Sequence, residues 1–333
     1  MSTSPTIGKD EIGATLDPSN HWLRRSGWQC LARATNNSLL IPDLLRHTRQ
    51  EKMSKGISLH IGLNRIDPAV YPGWATLRGA ENDAREMQVV ANGEGYLSSL
   101  LLSESATSNA ILGGIENAAG QLVSGDIFLL SFSGHGREIQ GSTTEPFNQS
   151  WVAYNRQILD DELYCMWRKF QKGVRIVVVS DSCFSGTILD RFFEFSREVS
   201  FPLAADTTRS REVREIVGIS KKPTKEQAAA HYERYSSQYG EIRKSLNSCR
   251  AQPPTEATIL LLAACKADQE AIDGPNHGAF TERLLDVYRT GSFTNYRDFF
   301  GLIVNSMSAQ QTPQYYSISR DIQLLEARRP FDI

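Results

Sequence analysis

A histidine and a cysteine in small-residue turns are the residues of this chain best suited to nucleophilic chemistry. His135 lies in SGHG, directly after the apolar run DIFLLSF, and Cys183 lies in DSCFSG, directly after VRIVVVS. A thiol attacks a carbonyl as the thiolate, and a nearby imidazole both lowers the thiol pKa and returns a proton to the leaving amine. The pair is therefore suited to acyl transfer, provided that the fold brings the two side chains together.

Other catalytic signatures are missing from the sequence, which has no GxxxxGK[ST] phosphate loop, no GxGxxG after a strand, no HExxH and no GxSxG. A carbonyl under attack develops negative charge that needs backbone N–H donors in an uncrowded place. Gly136 and Cys183 itself are candidates for these two donors. The alternative, for each residue taken alone, is that His135 is a hydrogen-bonded histidine at a strand end and Cys183 a buried structural thiol.

Apolar runs of strand length alternate with amphipathic helical stretches from Gly56 onwards, which predicts a parallel sheet with helices on both faces. Strands are predicted over 57–66, 96–102, 126–136, 174–186, 257–266 and 311–319, and helices over 80–95, 107–122, 160–173, 231–246, 279–291 and 295–310. Open α/β sheets bind ligands at the carboxyl ends of their strands, where both turns lie. The last strand is predicted to be an edge, because Pro313 cannot donate to a ladder.

Three further regions flank or interrupt the α/β domain, which is predicted over 55–320. Residues 1–54 are a polar N-terminal extension that we expect to pack on the domain, about 187–254 form a helical insertion, and 321–333 are a C-terminal tail. Within the insertion, Tyr232, Tyr235 and Tyr239 have helical spacing, which is typical of a packing face.

Composition excludes several function classes. The 333 residues include 36 Lys and Arg against 38 Asp and Glu, so no basic excess favours nucleic acid. No apolar run approaches the roughly 18 to 20 residues that span a bilayer, and the N-terminus lacks a leader pattern. Five widely spaced cysteines without a CxxC pair argue against a disulfide framework and a structural zinc site, and Cys165 and Cys265 are predicted to be core residues. We expect a cytoplasmic protein that binds neither nucleic acid nor membrane.

Several motifs in the same order resemble the caspase-like domain of metacaspases, particularly the bacterial ones. The resemblance runs from about residue 56 to 320 and is carried by SGHG, DSCFSG, LRGAENDA, ILDDEL, AACKADQEAID and HGAFTERLL. It implies a six-stranded, mostly parallel sheet sandwiched between helices. It also implies a cysteine endopeptidase that works through an acyl-enzyme thioester, with His135 and Cys183 as its dyad.

The resemblance further implies cleavage after Arg or Lys. The pocket residues of that family fall on Asp83, Asp181 and Ser133, and its pocket cysteine is replaced by Ala80. Two carboxylates at the floor of a cleft suit a guanidinium or an ammonium and repel a substrate Asp. The alternative is that Asp83 pairs on a helix surface and that Asp181 satisfies backbone amides at a turn.

The resemblance also bears on calcium binding. Three of the four acidic ligands found in many metacaspases fall on Asp160, Asp161 and Asp190, while the fourth falls on Asn148. Each lost carboxylate weakens a Ca²⁺ site. We therefore expect that no cofactor is required, with Ca²⁺ as an optional ligand. The alternative for Asp160 and Asp161 is a helix N-terminus with Asp160 as its cap.

Control as a zymogen is also implied, because the extension and the insertion are long enough to cover a cleft until a partner, a metal or a cut removes them. Arg209, Arg211 and Arg214 are candidate self-cleavage sites, although an exposed basic loop is the simpler interpretation. His277, in NHGAF, is predicted to cap a helix or pack in a loop and not to act as a base.

Two functions remain open at this point. The first is a peptidase for protein substrates with an exposed Arg or Lys, controlled by an activating or inhibitory protein partner in a stress, cell-death or defence pathway. The second is a catalytically silent caspase-fold scaffold that recruits partners. The intact pair of His135 and Cys183 favours the first.

Overall fold

The computed structural model describes residues 54–142, 145–183, 196–198, 217–318 and 321–333. In chain order its strands are β1 (Gly56–Gly62), β2 (Leu97–Leu102), β3 (Ile127–Ser133), β4 (Gly136–Ser142), β5 (Glu145–Val152), β6 (Gln157–Leu159), β7 (Arg175–Asp181), β8 (Ser196–Glu198), β9 (Ile219–Ser220), β10 (Thr258–Ala263), β11 (Ile272–Asp273) and β12 (Gln314–Ile318). Its α-helices are α1 (Ala80–Gly93), α2 (Ser108–Gln121), α3 (Asp160–Trp167), α4 (Lys225–Arg250), α5 (Ala279–Thr290), α6 (Tyr296–Ser306) and α7 (Ile322–Glu326).

A mixed sheet in the order β2-β1-β3-β7-β10-β12-β8 forms the centre of the domain. Its first five strands run parallel, and β12 and β8 are added antiparallel. All residues of β1, β3, β7 and β10 are buried, as expected for strands that helices cover on both faces. The predicted α/β class with six mostly parallel strands is confirmed, and the three-residue β8 adds a seventh.

Two hydrophobic cores lie on opposite faces of this sheet. Along β3, Phe128 and Leu130 belong to the core that α2 and α3 cover, whereas Ile127 and Leu129 belong to the core that α1, α5 and α6 cover. This alternation follows from the period of two in a strand. The sheet is therefore packed between helices on both faces, and this packing fixes the positions of its strands.

The prediction that the last strand is an edge is wrong. β12 pairs with β10 on one side and with β8 on the other, through Tyr316 with Glu198 and Ile318 with Ser196. Pro313 precedes the first residue of β12, so its missing N–H interrupts neither ladder.

A second, antiparallel sheet was missed by the sequence analysis. Strands β4, β5 and β6 follow His135 directly and form a three-stranded sheet. Trp151 of β5 fixes it to the central sheet, because its ring stacks on Phe132 at 4.4 Å and its Nε1 donates to Ser180 Oγ at 3.1 Å. The polar residues Arg137 and Glu138 hide the strand pattern of β4 in the sequence.

The described part of the insertion is mainly α4, a helix of 26 residues that is longer than the predicted 231–246. Thr224 and Gln227 begin it with a capping box. Tyr232 and Tyr235 pack with the buried Tyr239 next to Leu159, which confirms the predicted packing face.

The expectation that the cysteines are unpaired is wrong for two of them. Cys165 of α3 and Cys249 of α4 form a disulfide with their Cα atoms 6.0 Å apart, whereas Cys183 and Cys265 are free and buried. The two partners lie 84 positions apart in the sequence. Their pairing depends on how α3 packs against α4, which spacing alone does not reveal.

The structure describes the C-terminal tail but hardly any of the N-terminal extension. The N-terminal extension, 1–54, lies almost wholly outside the described residues, so its packing stays a prediction. In the C-terminal tail, Phe331 is buried and its N–H donates to Tyr296 Oη at 2.9 Å. Among the described residues, no helix is long and apolar enough to cross a membrane.

The disulfide gives a testable prediction. When the denatured, unreduced chain is alkylated and analysed by peptide mass spectrometry, Cys183 and Cys265 should be modified and Cys165 and Cys249 should not. Because the bridge restricts the unfolded chain, reduction should lower the free energy of unfolding by about 2–4 kcal/mol. Alkylation of Cys165 or Cys249 without reductant would contradict the assignment.

Candidate active site

The ends of β3 and β7 bring the histidine and the cysteine to one place. The two strands are parallel neighbours in a register that pairs Ser133 with Asp181, so the residues two positions further on, His135 and Cys183, leave the sheet side by side. Each of these two is only 1% exposed. A Cβ at Gly136 would overlap the carbonyl oxygen of Cys183, and a glycine is therefore needed at that approach.

Both ring nitrogens of His135 contact backbone carbonyls. Its Nε2 lies 2.7 Å from Ala75 O and its Nδ1 lies 3.0 Å from Lys221 O. Burial lowers the pKa of His135, and the two carbonyls oppose that shift because they favour a doubly protonated ring. The ring is thus held in one orientation, with Nδ1 directed at the carbonyl of residue 221.

The thiol of Cys183 contacts the backbone of Ala271, whose N–H donates to Cys183 Sγ at 3.2 Å. The carbonyl of Ala271 in turn accepts the N–H of Lys221 at 2.9 Å. Thiol, imidazole and the peptide unit of Lys221 therefore meet around one short stretch of backbone.

A segment of the insertion occupies the cleft between these groups. β9 pairs antiparallel with β11, with Ser220 opposite Ile272 and Ile219 opposite Asp273. One residue further, the Lys221 carbonyl accepts a hydrogen bond from Gly136 N–H at 3.2 Å while it contacts His135. That carbonyl therefore accepts from Gly136, one of the two N–H donors predicted for a carbonyl under attack.

The side chain of Lys221 is completely buried in an acidic pocket. Its Nζ donates to Asp181 Oδ1 at 2.8 Å, to Asp181 O at 3.0 Å and to Ser133 Oγ at 2.9 Å, and it lies 3.8 Å from Asp83 Oδ2. The structure thus brings Asp83, Asp181 and Ser133 together around one cation. Ala80 is buried at the start of α1, where its carbonyl lies against Gly62, and none of the described contacts joins it to Lys221.

The charges of this pocket depend on one another. Burial works against the charged ammonium, but Asp181 and Asp83 outweigh it and raise the pKa of Lys221, so this side chain remains a cation. Burial raises the pKa of Asp83, and His277 and Lys221 limit that rise. A cation in this position therefore offsets the cost of placing two carboxylates close together in a buried pocket.

Residues at the start of α5 hold the two carboxylates from the other side. Thr281 donates to Asp181 Oδ2 through its N–H at 2.9 Å and its Oγ1 at 2.8 Å, which leaves Oδ1 for the cation. Gly278 N–H donates to both oxygens of Asp83 at 3.1 and 3.0 Å. A helix N-terminus stabilises such carboxylates through its dipole.

Comparison with known proteins agrees with this geometry. The family model of the caspase domain, peptidase family C14, matches residues 65–323. The chain belongs to the caspase domain family. Metacaspase-4 of Arabidopsis thaliana is 29% identical over 176 residues, which cover 48% of this chain and 41% of that protein. Metacaspase-1 of Mycosarcoma maydis is 25% identical over 268 residues, which cover 71% of this chain and 62% of that protein.

A solved structure is similar over most of the caspase-domain chain. Protein GSU0716 of Geobacter sulfurreducens has a TM-score of 0.68 and 31% identity, and the match covers 83% of this chain and 98% of that one. The predicted resemblance to metacaspases is confirmed. The chain spans less than two thirds of the length of the two curated metacaspases.

The predicted calcium ligands are only partly described. Asp160 and Asp161 lie in the first turn of α3, where Asp160 Oδ1 accepts the N–H of Asp161 at 2.8 Å and Asp161 Oδ1 lies 3.3 Å from Arg250 Nε. The prediction that Asp160 caps this helix is wrong, because Leu159 is the N-cap residue. The N–H of Leu159 is satisfied by Glu162, whose side chain folds back over the helix start.

The calcium prediction stays untested by this arrangement. Asp190 and the side chain of Asn148 lie outside the described residues, as do Arg209, Arg211 and Arg214. Within the described part of the chain, no three His, Cys, Asp or Glu side chains are grouped to hold a metal. Of the four predicted ligands, the described side chains are those of Asp160 and Asp161, and Asp161 is paired with Arg250.

Sequence reasoning missed Lys221, Gly278 and Thr281. It predicted that His277 caps a helix or packs in a loop and missed its contact to Asp83. The segment HGAFT contained a usable signal, since a glycine before a helix often marks close approach of another group. A Cβ at Gly278 would overlap both Asp181 Oδ2 and Lys221 Nζ. Lys221 gave no signal, because a lysine in SKKP looks like any exposed basic residue.

Gly278 gives a direct test of the pocket. In a Cys183→Ala chain, the bond after Lys221 should resist trypsin because its lysine is buried. Gly278→Ala should expel the lysine and make trypsin cut that bond at least tenfold faster, measured by mass spectrometry of the fragments. Gly113→Ala is the matched control, since a Cβ there meets nothing within 4 Å. Equal rates in the two variants would contradict the pocket.

Proposed function

We propose that this caspase-family chain is a cysteine endopeptidase that cleaves protein substrates after Lys or Arg. The observation that carries the proposal is the position of Lys221. Its carbonyl accepts from Gly136 N–H beside His135, and its side chain is enclosed by Asp83 and Asp181. A substrate strand that pairs with β11 would present its own basic residue in the same way.

The proposed reaction uses the chain's own residues and no metal step. The Cys183 thiolate attacks the carbonyl carbon, and the resulting oxyanion is stabilised by the N–H groups of Gly136 and Cys183. The C–N bond then breaks, and the His135 imidazolium gives its proton to the leaving amine. Water attacks the thioester with His135 as its base, which releases the carboxylate product and restores the thiolate.

Selection of a basic side chain follows from the charges in the pocket. Asp181 offers Oδ1 and its backbone carbonyl to a cation, while Thr281 occupies Oδ2. A substrate Asp would face two buried carboxylates without a proton donor for its own charge, which costs several kcal/mol. The planar guanidinium of Arg matches the same acceptors through its fork of donors.

Control as a zymogen is part of the proposal. The stretch 218–221 would act as a bound substrate does and block access to the dyad, because β9 pairs with β11 and the Lys221 carbonyl contacts Gly136 and His135. The bond after Lys221 is then the candidate site of self-cleavage, in addition to Arg209, Arg211 and Arg214. Proteins with an exposed Arg or Lys are the proposed substrates, and an activating or inhibitory protein would act by moving this stretch.

Peptide hydrolysis tests the activity and the specificity. Fluorogenic peptides ending in Arg or Lys should be cleaved by the self-processed chain, and Cys183→Ala should abolish turnover. Asp181→Asn should lower kcat/KM for the Arg peptide by roughly 10²-fold, because it removes a buried charge pair. The exposed Asp268→Asn serves as control. The same assays are run with calcium and with chelator to test the metal, and with a matched peptide that ends in Asp. Turnover of the Asp peptide would refute the pocket. No turnover of any peptide would support the scaffold function.

Self-cleavage tests the zymogen. The purified chain should yield a fragment that begins at Lys222, identified by intact mass and N-terminal sequencing. Lys221→Ala should remove this fragment, because it takes the cation out of the acidic pocket, whereas Lys222→Ala should keep the cut at the same bond. A fragment pattern that is identical in the parent and in Lys221→Ala would show that Lys221 is not a cleavage site.

A further inference from the structure

His277 contacts the pocket carboxylate Asp83 on the side away from the cation. Its Nδ1 lies 3.0 Å from Asp83 Oδ1, while the other oxygen, Oδ2, accepts from Ser133 and lies 3.8 Å from Lys221 Nζ. Asp83 is therefore shared by two groups that both carry positive charge when the imidazole is protonated. The His277 side chain is 23% exposed and therefore in contact with solvent, whereas that of Asp83 is buried.

The surroundings of His277 are mixed in charge. Glu86 of α1 and Glu282 of α5 face it together with Asp83. His277 and Arg283 both line a cavity of about 220 Å³. Arg283 pairs with Asp286, and Arg289 pairs with Glu86 at 3.0 Å. The hydrogen bond to Asp83 raises the pKa of His277 above its ordinary value of 6.5, and the nearby glutamates add to this shift against the effect of burial.

We propose that His277 is a positioning residue that sets how strongly the pocket of Asp83 and Asp181 holds a cationic side chain. In its neutral form His277 orients Asp83 through Nδ1–H and leaves the pocket with two negative charges. In its protonated form it cancels one of them. The cation of Lys221, or that of a basic substrate residue where the proposed function holds, is then bound less tightly.

The sign of the effect follows from linkage. Protonation of His277 weakens the hold on the cation, so the cation must weaken the hold of His277 on its proton by the same factor. A cation in the pocket therefore lowers the pKa of His277, and its removal raises that pKa. The two positive groups lie on opposite oxygens of one carboxylate, and partial exposure screens them, so we expect a factor of roughly three to ten, or about half to one pKa unit.

The direct test uses the whole chain with its own lysine in the pocket. The pKa of His277 is measured by NMR titration of its ring resonances in the Cys183→Ala chain, with the resonances assigned by comparison with His277→Asn. Lys221→Met, which keeps the length but removes the charge, should raise this pKa by about half to one unit. Lys222→Met is the matched control and should leave it unchanged, because that side chain does not enter the pocket.

A second measurement covers the case in which Lys221→Met alters the cleft. In the self-processed enzyme, KM for a Lys peptide should fall roughly three- to tenfold as the pH rises through the titration of His277. In His277→Asn, whose amide still donates to Asp83 but does not titrate, this step should disappear from KM. The kcat profile, which depends on His135 and Cys183, should be similar in both.

These outcomes separate this inference from the proposed function on which its enzymatic part rests. An unchanged pKa in Lys221→Met, or a KM step that persists in His277→Asn, would overturn the role of His277 even in an active peptidase. A chain without Cys183-dependent turnover would refute the peptidase, while the NMR titration would still decide whether His277 and the cation share Asp83.

Discussion

A buried ammonium between two carboxylates is the interaction on which this site depends. Each of these charges would be costly alone in a space without water, and each is tolerable because the others are present. Lys221 is fully buried against Asp181 and Asp83, and both carboxylates are also held by N–H groups at the start of α5. The helix, the strand end and the inserted segment are therefore connected through one small group of charges.

The parallel sheet explains why this group lies beside the dyad. Ser133 and Asp181 are opposite one another at the last paired positions of β3 and β7, and both contact the lysine. His135 and Cys183 follow two residues later on the same two strands. The contacts to the lysine and the pair of His135 and Cys183 are thus separated by two residues of chain, and a one-residue change of register between β3 and β7 would disrupt both together.

Much of the fold could be predicted from the sequence because its signals are local. Buried parallel strands are continuous apolar runs, and the helices around them carry an apolar stripe, which is why β1, β3, β7, β10 and α1 lie close to their predicted positions. The expectation that His135 and Cys183 lie near each other needed one further assumption, that β3 and β7 are neighbours. The antiparallel strands β4 to β6 were missed because polar residues such as Arg137, Gln149 and Gln157 interrupt their apolar pattern, although these side chains are buried.

The remaining features depend on tertiary context and have no local signal. The pairing of Cys165 with Cys249 requires the packing of α3 on α4, and the three-residue β8 is too short to show a period. Lys221 lies in a polar stretch that resembles a solvated loop, and only the acidic pocket into which it folds distinguishes it from Lys222. A charge whose partners lie far away in sequence is recognised from the structure and not from its neighbours in the chain.

If the chain cuts itself after Lys221 as proposed, the position of this lysine has a further consequence. The new carboxyl terminus at Lys221 would remain attached to Cys183 through the intervening chain, so the first product of the enzyme would also be its nearest competitor. Such a tethered end acts at an effective concentration on the order of millimolar. A single broken peptide bond would leave such a peptidase under intramolecular product inhibition, and the number of residues between Cys183 and Lys221 would then affect how readily a foreign substrate gains access.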